Sequence, residues 1–73
     1  MNHFEDDQRV KVITTSHPLF GQTGTVWRLH MRDSDAWVDM DTELSDELRS
    51  FDNGDDRRNL IELSPNDCEP INP

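Results

Sequence analysis

A single cysteine, Cys68, in a chain of 73 residues leaves no intrachain disulfide to hold the fold, so packing has to do so alone. The other staple open to small proteins, a structural metal, is also missing from the pattern. His3, His17 and His30 are scattered without the paired spacing that metal ligands need. Only 32% of the residues are apolar, which supplies one compact core and one domain. A single domain over residues 1–73 is therefore expected, with flexible ends at about 1–6 and 72–73. Stable folds of this size are either short helical bundles or tightly wound small β-structures, and the hydrophobic period decides between them.

The period is that of strands. Gln8 to Thr14 alternates polar and apolar residues around β-branched positions, which puts Val10 and Val12 on one face. Ser16-His17-Pro18 predicts a turn, and Gly21 and Gly24 supply backbone freedom near it. Thr25 to Arg32 reads as a second strand, in which Val26 and Leu29, three apart, share the inner face if a bulge lies between them. Asp33-Ser34-Asp35 turns the chain into a third strand, Ala36 to Asp41. There Ala36, Val38 and Met40 face inward, and Trp37, Asp39 and Asp41 outward. Leu44, Leu48 and Phe51 are spaced as on one helix face, while Asn53-Gly54 signals a tight turn. Residues 42–57 are thus expected as an acidic loop or short helix before a fourth strand, Asn59 to Leu63. Ser64-Pro65-Asn66-Asp67 ends that strand, and Glu69-Pro70-Ile71 forms a last one at an edge where proline is tolerated. The expected core is Val10, Val12, Val26, Val38, Met40, Leu60 and Leu63.

The net charge of −9 is concentrated in one segment. Residues 1–32 set Arg9, Lys11, Arg28 and Arg32 against Glu5, Asp6 and Asp7. Residues 33–56 carry ten acids (Asp33, Asp35, Asp39, Asp41, Glu43, Asp46, Glu47, Asp52, Asp55 and Asp56) against Arg49 alone, which by itself accounts for −9. Residues 57–73 set Arg57 and Arg58 against Glu62, Asp67 and Glu69. A surface of this kind repels nucleic acid and attracts basic protein surfaces. No apolar run is long enough to span a membrane, and the first residues lack the basic start and apolar stretch of a signal peptide, so neither export nor membrane insertion is expected.

Val10-x-Val12, a turn with Pro18, and Gly21-x-x-Gly24-x-Val26-x-x-Leu29 resemble the KOW motif of ribosomal and transcription-elongation proteins, over about twenty residues. The stretch from Leu60 to Ile71 resembles the end of an SH3-like barrel, which implies a 3₁₀ turn between the last two strands and puts Cys68 in the core. Together these imply a mainly β fold: a small SH3-like, KOW-type barrel with an acidic insertion before its fourth strand. Two departures from the RNA-binding members of that group stand out. They are typically basic, and Phe20 stands here where a basic residue often precedes the glycine. The whole chain, to its Cys68-Glu69-Pro70-Ile71 end, is similar to the small RNA-polymerase-binding transcription regulators of lytic bacteriophages. That likeness implies binding of the host bacterial RNA polymerase in the host cell cytoplasm, inhibition of initiation and antitermination. It also admits a host elongation factor as a second partner.

The residues point to a binding module and not to an enzyme. No nucleophile sits in an elbow motif, no glycine-rich phosphate loop is present, and a domain this small offers no deep pocket. No cofactor and no metal is expected. Asp39-x-Asp41-x-Glu43 opens like a calcium loop but has Leu44 where a turn glycine is needed. Trp37 and Trp27 are the candidate anchors for a protein partner, with Asp46, Glu47, Phe51, Asp55 and Asp56 around them, since aromatics ringed by charge are the composition of an interface. Phe4 is a weaker candidate. The expected state is a monomer that makes no direct sequence-specific contact to nucleic acid. Two other functions fit the same sequence. One is an RNA- or ribosome-binding KOW module, which needs Arg9, Lys11, Arg28 and Arg32 on one face; the other is a structural SH3-like subunit of a larger complex.

Overall fold

The computed structural model describes residues 2–30, 34–49 and 59–71. Within them the chain forms five strands: β1 (Arg9–Val12), β2 (Thr23–Leu29), β3 (Ala36–Met40), β4 (Leu60–Leu63) and β5 (Cys68–Pro70). A 3₁₀ turn, Pro65–Asp67, joins the last two. All pairings are antiparallel, and the strand order is β4-β3-β2-β1-β5. No ladder joins β4 to β5 among the described residues, so the sheet is open, with β4 and β5 as its edges.

The alternation seen in the sequence becomes the inner face. Val10, Val12, Val26, Ala36, Val38, Met40, Leu63 and Cys68 are all at most 2% exposed and form one cluster. Cross-strand register builds it in rows: Val10 lies opposite Gly24 and Gly24 opposite Met40, while Val26 lies opposite Val38 and Val38 opposite Ile61. Leu60 is equally buried and lies opposite Asp39. Cys68 behaves as a small apolar residue, and burial pushes its thiol up to about 11.

Side chains from outside the strands complete the core. Leu19, in the turn between β1 and β2, is buried, as is Phe4. The chain around Phe4 is drawn in because Asp7 donates to the Val26 carbonyl at 2.9 Å and Val26 returns a bond to Gln8 at 2.8 Å. Phe4, a minor interface candidate in the sequence, is therefore a core residue. At the other end Ser64 caps the 3₁₀ turn, accepting from the Asn66 amide at 3.2 Å, with Pro65 buried at its start. The turn is tied to the chain leaving β1 by Ile13 N–H to the Asp67 carbonyl, 2.8 Å, and by the Thr14 hydroxyl to the Asp67 carboxylate, 2.6 Å.

The structure corrects three expectations. The described part of the acidic segment forms no α-helix: Leu48 and Arg49 both donate to the Ser45 carbonyl at 3.1 Å, which makes a single turn. Leu44 is buried and Leu48 packs against the core, so the apolar spacing pins a loop to the sheet. Phe51, the third residue of that spacing, lies outside the described residues. The expected bulge is present, with the register between β2 and β3 shifting between Val26 and Arg28. It brings Leu29 opposite Ala36, but Leu29, at the last rung of the ladder, remains 38% exposed.

The third correction concerns the glycines. Gly21 has φ +85, the left-handed region in which a side chain is strained. Gly24 does not; its requirement is closeness. A Cβ there would stand 2.8 Å from the Asp39 carbonyl oxygen and 2.9 Å from the Met40 sulfur, so Met40 occupies the space that a side chain at Gly24 would fill. The two sites should separate by substitution in urea denaturation. Gly21→Ala should cost about 1–2 kcal/mol, and Gly21→Asn should recover most of it, because asparagine tolerates that backbone. At Gly24 both alanine and asparagine should destabilise by about 1–3 kcal/mol through overpacking. Met40→Ala should cost about 2–5 kcal/mol, a large share of the roughly 4–11 kcal/mol expected of a domain this size.

Candidate functional site

The outward face of the sheet carries the charged and aromatic residues of the alternating strands. The bulge shapes its centre. In a regular strand neighbouring side chains point to opposite faces, but here Trp27 and Arg28 together oppose the single residue Trp37, so both can lie on the outward side. The Arg28 guanidinium carbon sits 4.4 Å from the centre of the Trp27 ring, a cation–π contact between sequence neighbours that only the bulge permits.

Trp37 is the middle of a cross-strand row, with Arg28 opposite it on β2 and Glu62 opposite it on β4. The His30 imidazole stacks on the Trp37 indole, ring centres 5.1 Å apart and planes at 28°. His30 Nε2 also stands 3.5 Å from the Glu62 carboxylate, an ion pair whenever the imidazole is protonated. His30 is held there because its amide donates to the Asp35 carbonyl at 3.1 Å across the β2–β3 connection. Both tryptophans are half-buried.

A second cluster on the same face ties β1, β2 and β3 together. Arg9 makes a two-pronged ion pair with Asp41, both N···O distances 2.7 Å, and also donates to the Thr25 hydroxyl at 3.0 Å. The Thr23 hydroxyl donates to the same carboxylate, and the Asp41 amide donates to the Thr23 carbonyl at 3.0 Å. The bond from Arg9 and then that from Thr23 hold the Asp41 carboxyl down at about 2. The aspartate that resembles a calcium-loop ligand in the sequence is thus committed to an arginine.

Of the sequence candidates, Trp37 stands in the outward row of β3, and Trp27 is the bulged residue of β2, stacked with Arg28. Asp46 and Glu47 are exposed in the loop after β3, with Asp46 paired to Arg49 at 3.0 Å. Phe51, Asp55 and Asp56 lie outside the described residues. Arg28, which the sequence offers only for an RNA-binding face, and His30 and Glu62, which it does not offer for any interface, stand with the tryptophans. The signal available for Arg28 was the bulge expected before Leu29; the partners His30 and Glu62 depend on a register that sequence does not display. No cavity opens among the described residues, and no cluster of metal-ligating side chains is present among them. No helix among them is long and apolar enough to cross a membrane.

Comparison of the chain with known proteins finds no matching family model, no matching curated protein and no matching solved structure.

The Arg9–Asp41 pair sets a pH dependence. Because the folded Asp41 carboxyl titrates near 2 and not near its ordinary 3.8, its contribution is full above about pH 4 and is lost as the pH falls towards 2. Both side chains are more than a third exposed, so solvent reduces the contribution to about 0.2–1 kcal/mol. Urea midpoints measured from pH 5 to pH 2 should fall more steeply for the native protein than for Asp41→Asn. Parallel curves would mean that the pair adds no stability.

Proposed function

We propose that this chain is a phage-encoded regulator that binds the host bacterial RNA polymerase in the host cytoplasm, inhibits transcription initiation and promotes antitermination. It acts as a monomeric protein-binding module, with a host elongation factor as a second partner. The identity of the partner rests on the likeness of the whole chain to small phage regulators of that kind. The mode of binding rests on one observation: two half-buried tryptophans stand at the bulge between β2 and β3 in a strongly acidic protein. Aromatic anchors inside a charged rim are how protein interfaces concentrate their binding energy.

The SH3-like, KOW-type barrel belongs to the same proposal. A four-strand meander whose fifth strand returns to the first is the strand order of that fold. Extents of 29 × 25 × 23 Å favour a sheet curled over its core, since a flat single sheet is thinner, with packed layers only about 10 Å apart.

The RNA-binding alternative needs a basic patch. Arg9, Lys11 and Arg28 do lie on the outward face, but two of the three stand against a carboxylate. Arg9 is held by Asp41, Lys11 lies across from Glu69, and Arg28 lies over Trp27. Arg32 lies outside the described residues. This interleaving is unlike a phosphate-binding stripe.

Rates on immobilised polymerase test the proposal. Screening limits the acidic field to about 8 Å at physiological salt, so it acts chiefly on encounter. Reversing Asp46 and Glu47 to lysine should slow association, and added salt should shrink the difference. Trp37→Ala should raise the dissociation rate by about thirtyfold, the equivalent of about 2 kcal/mol, with an unchanged circular dichroism spectrum. Failure of the native protein to bind polymerase, alone or with elongation factors present, would reject the function.

A further inference from the structure

We propose that the turn between β1 and β2 is a pH-sensitive latch, closed by neutral His17 and released when the imidazole takes up a proton. The Leu19 amide donates to His17 Nδ1 at 3.0 Å. Only an unprotonated ring nitrogen accepts, so the ring carries its proton on Nε2 in this arrangement. The contact copies an Asx turn, in which an asparagine or aspartate side chain accepts from the backbone two residues on. Pro18 has no N–H of its own, which leaves the Leu19 amide as the first donor after His17.

The latch holds the residue that ties the turn to the core. His17 N–H donates to the Thr14 carbonyl and the Phe20 amide to the His17 carbonyl, both at 3.0 Å, and the Gln22 amide donates to the Leu19 carbonyl at 2.9 Å. Within residues 13–22 Leu19 is the one buried side chain, while Phe20 beside it is 52% exposed. Releasing the Leu19 amide therefore loosens both the core contact and the path of the exposed phenylalanine.

No neighbouring charge holds the ring in either state. Residues 12–27 carry no ionisable side chain other than His17. Around them, the Asp67 carboxylate of the 3₁₀ turn takes the Thr14 hydroxyl, Asp41 after β3 takes Arg9 and Thr23, and Lys11 of β1 lies across from Glu69. Among the described residues none of these groups makes an ion pair with His17. Protonation puts a second donor where the acceptor stood, so two N–H groups face each other and the turn opens to give both to water. The closed turn binds one proton fewer than the open one. Its contribution is thus present at neutral pH and lost as the pH falls through the range, about pH 6.5, in which an ordinary imidazole titrates.

Hydrogen exchange at the Leu19 amide, followed by NMR on the full chain and corrected for the intrinsic effect of pH on exchange, tests the latch. Between about pH 7.5 and about pH 5.5, protection there should fall about three- to tenfold, the worth of one hydrogen bond. The nitrogen shifts of His17 should show Nδ1 unprotonated at the higher pH. His17→Asn offers Oδ1 in place of Nδ1 and does not titrate, so its Leu19 amide should keep native protection at both pH values. His17→Ala, with no acceptor, should be poorly protected at both. A proton on Nδ1 at neutral pH would overturn the latch, as would a level profile in the native protein; neither reading needs a variant. Equal loss in His17→Asn and the native protein would overturn it too, by placing the pH dependence on another group. None of these measurements involves polymerase, so the latch and the proposed function stand or fall separately.

Discussion

The close approach of β3 to β2 at Gly24 positions everything else on the sheet. With no side chain at Gly24, the Met40 sulfur lies over β2, and the inner row from Val10 through Gly24 to Met40 closes without a void. Strand geometry carries that constraint across the sheet. Once Met40 is fixed inward, Asp39 and Trp37 take up alternate outward places, and Asp41 arrives beside Arg9 at the top of β1. The apolar row on one face and the ion pair on the other are two results of a single register.

The bulge then breaks that register where the outward face needs breadth. Above it, Val26 opposes Val38 and the inner face continues; at it, two residues oppose Trp37. One additional residue sets Trp27 and Arg28 against Trp37, on which His30 stacks beside Glu62. The core loses little by this, because the inner face is already closed by Val26, Val38 and Ile61.

Much of the inner face is legible in the sequence, because period-two alternation of β-branched residues has one simple reading: Val10, Val12, Ala36, Val38 and Met40 follow from it directly. The 3₁₀ turn and the apolar role of Cys68 follow from likeness to the end of an SH3-like domain. Phe4 and Leu19 belong to no periodic run, and only tertiary contacts reveal them as core. The outward site is harder to read for a physical reason. Arg9 and Asp41 are 32 residues apart, and His30, Trp37 and Glu62 meet only because three strands align in one register. Composition names the residue types of an interface but not which of them become neighbours.

The pairing of β5 with β1 has a consequence for how the chain comes into being. Lys11 meets Glu69 and Val12 meets Cys68, so the strand made first waits for the strand made last. On the ribosome β1, β2 and β3 can associate as a meander, since each lies near its neighbour in sequence. The far side of β1 stays uncovered until the residues of β5 have cleared the exit tunnel. During that interval the chain presents an unpaired strand edge, the feature that invites pairing with other chains. Pairing between sequence-distant strands is also slow, because the loop between them has to close first. The spacing of the two strands limits the hazard: residues 13–67 lie between them, so the edge stays open for roughly 3–11 seconds at ordinary rates of synthesis.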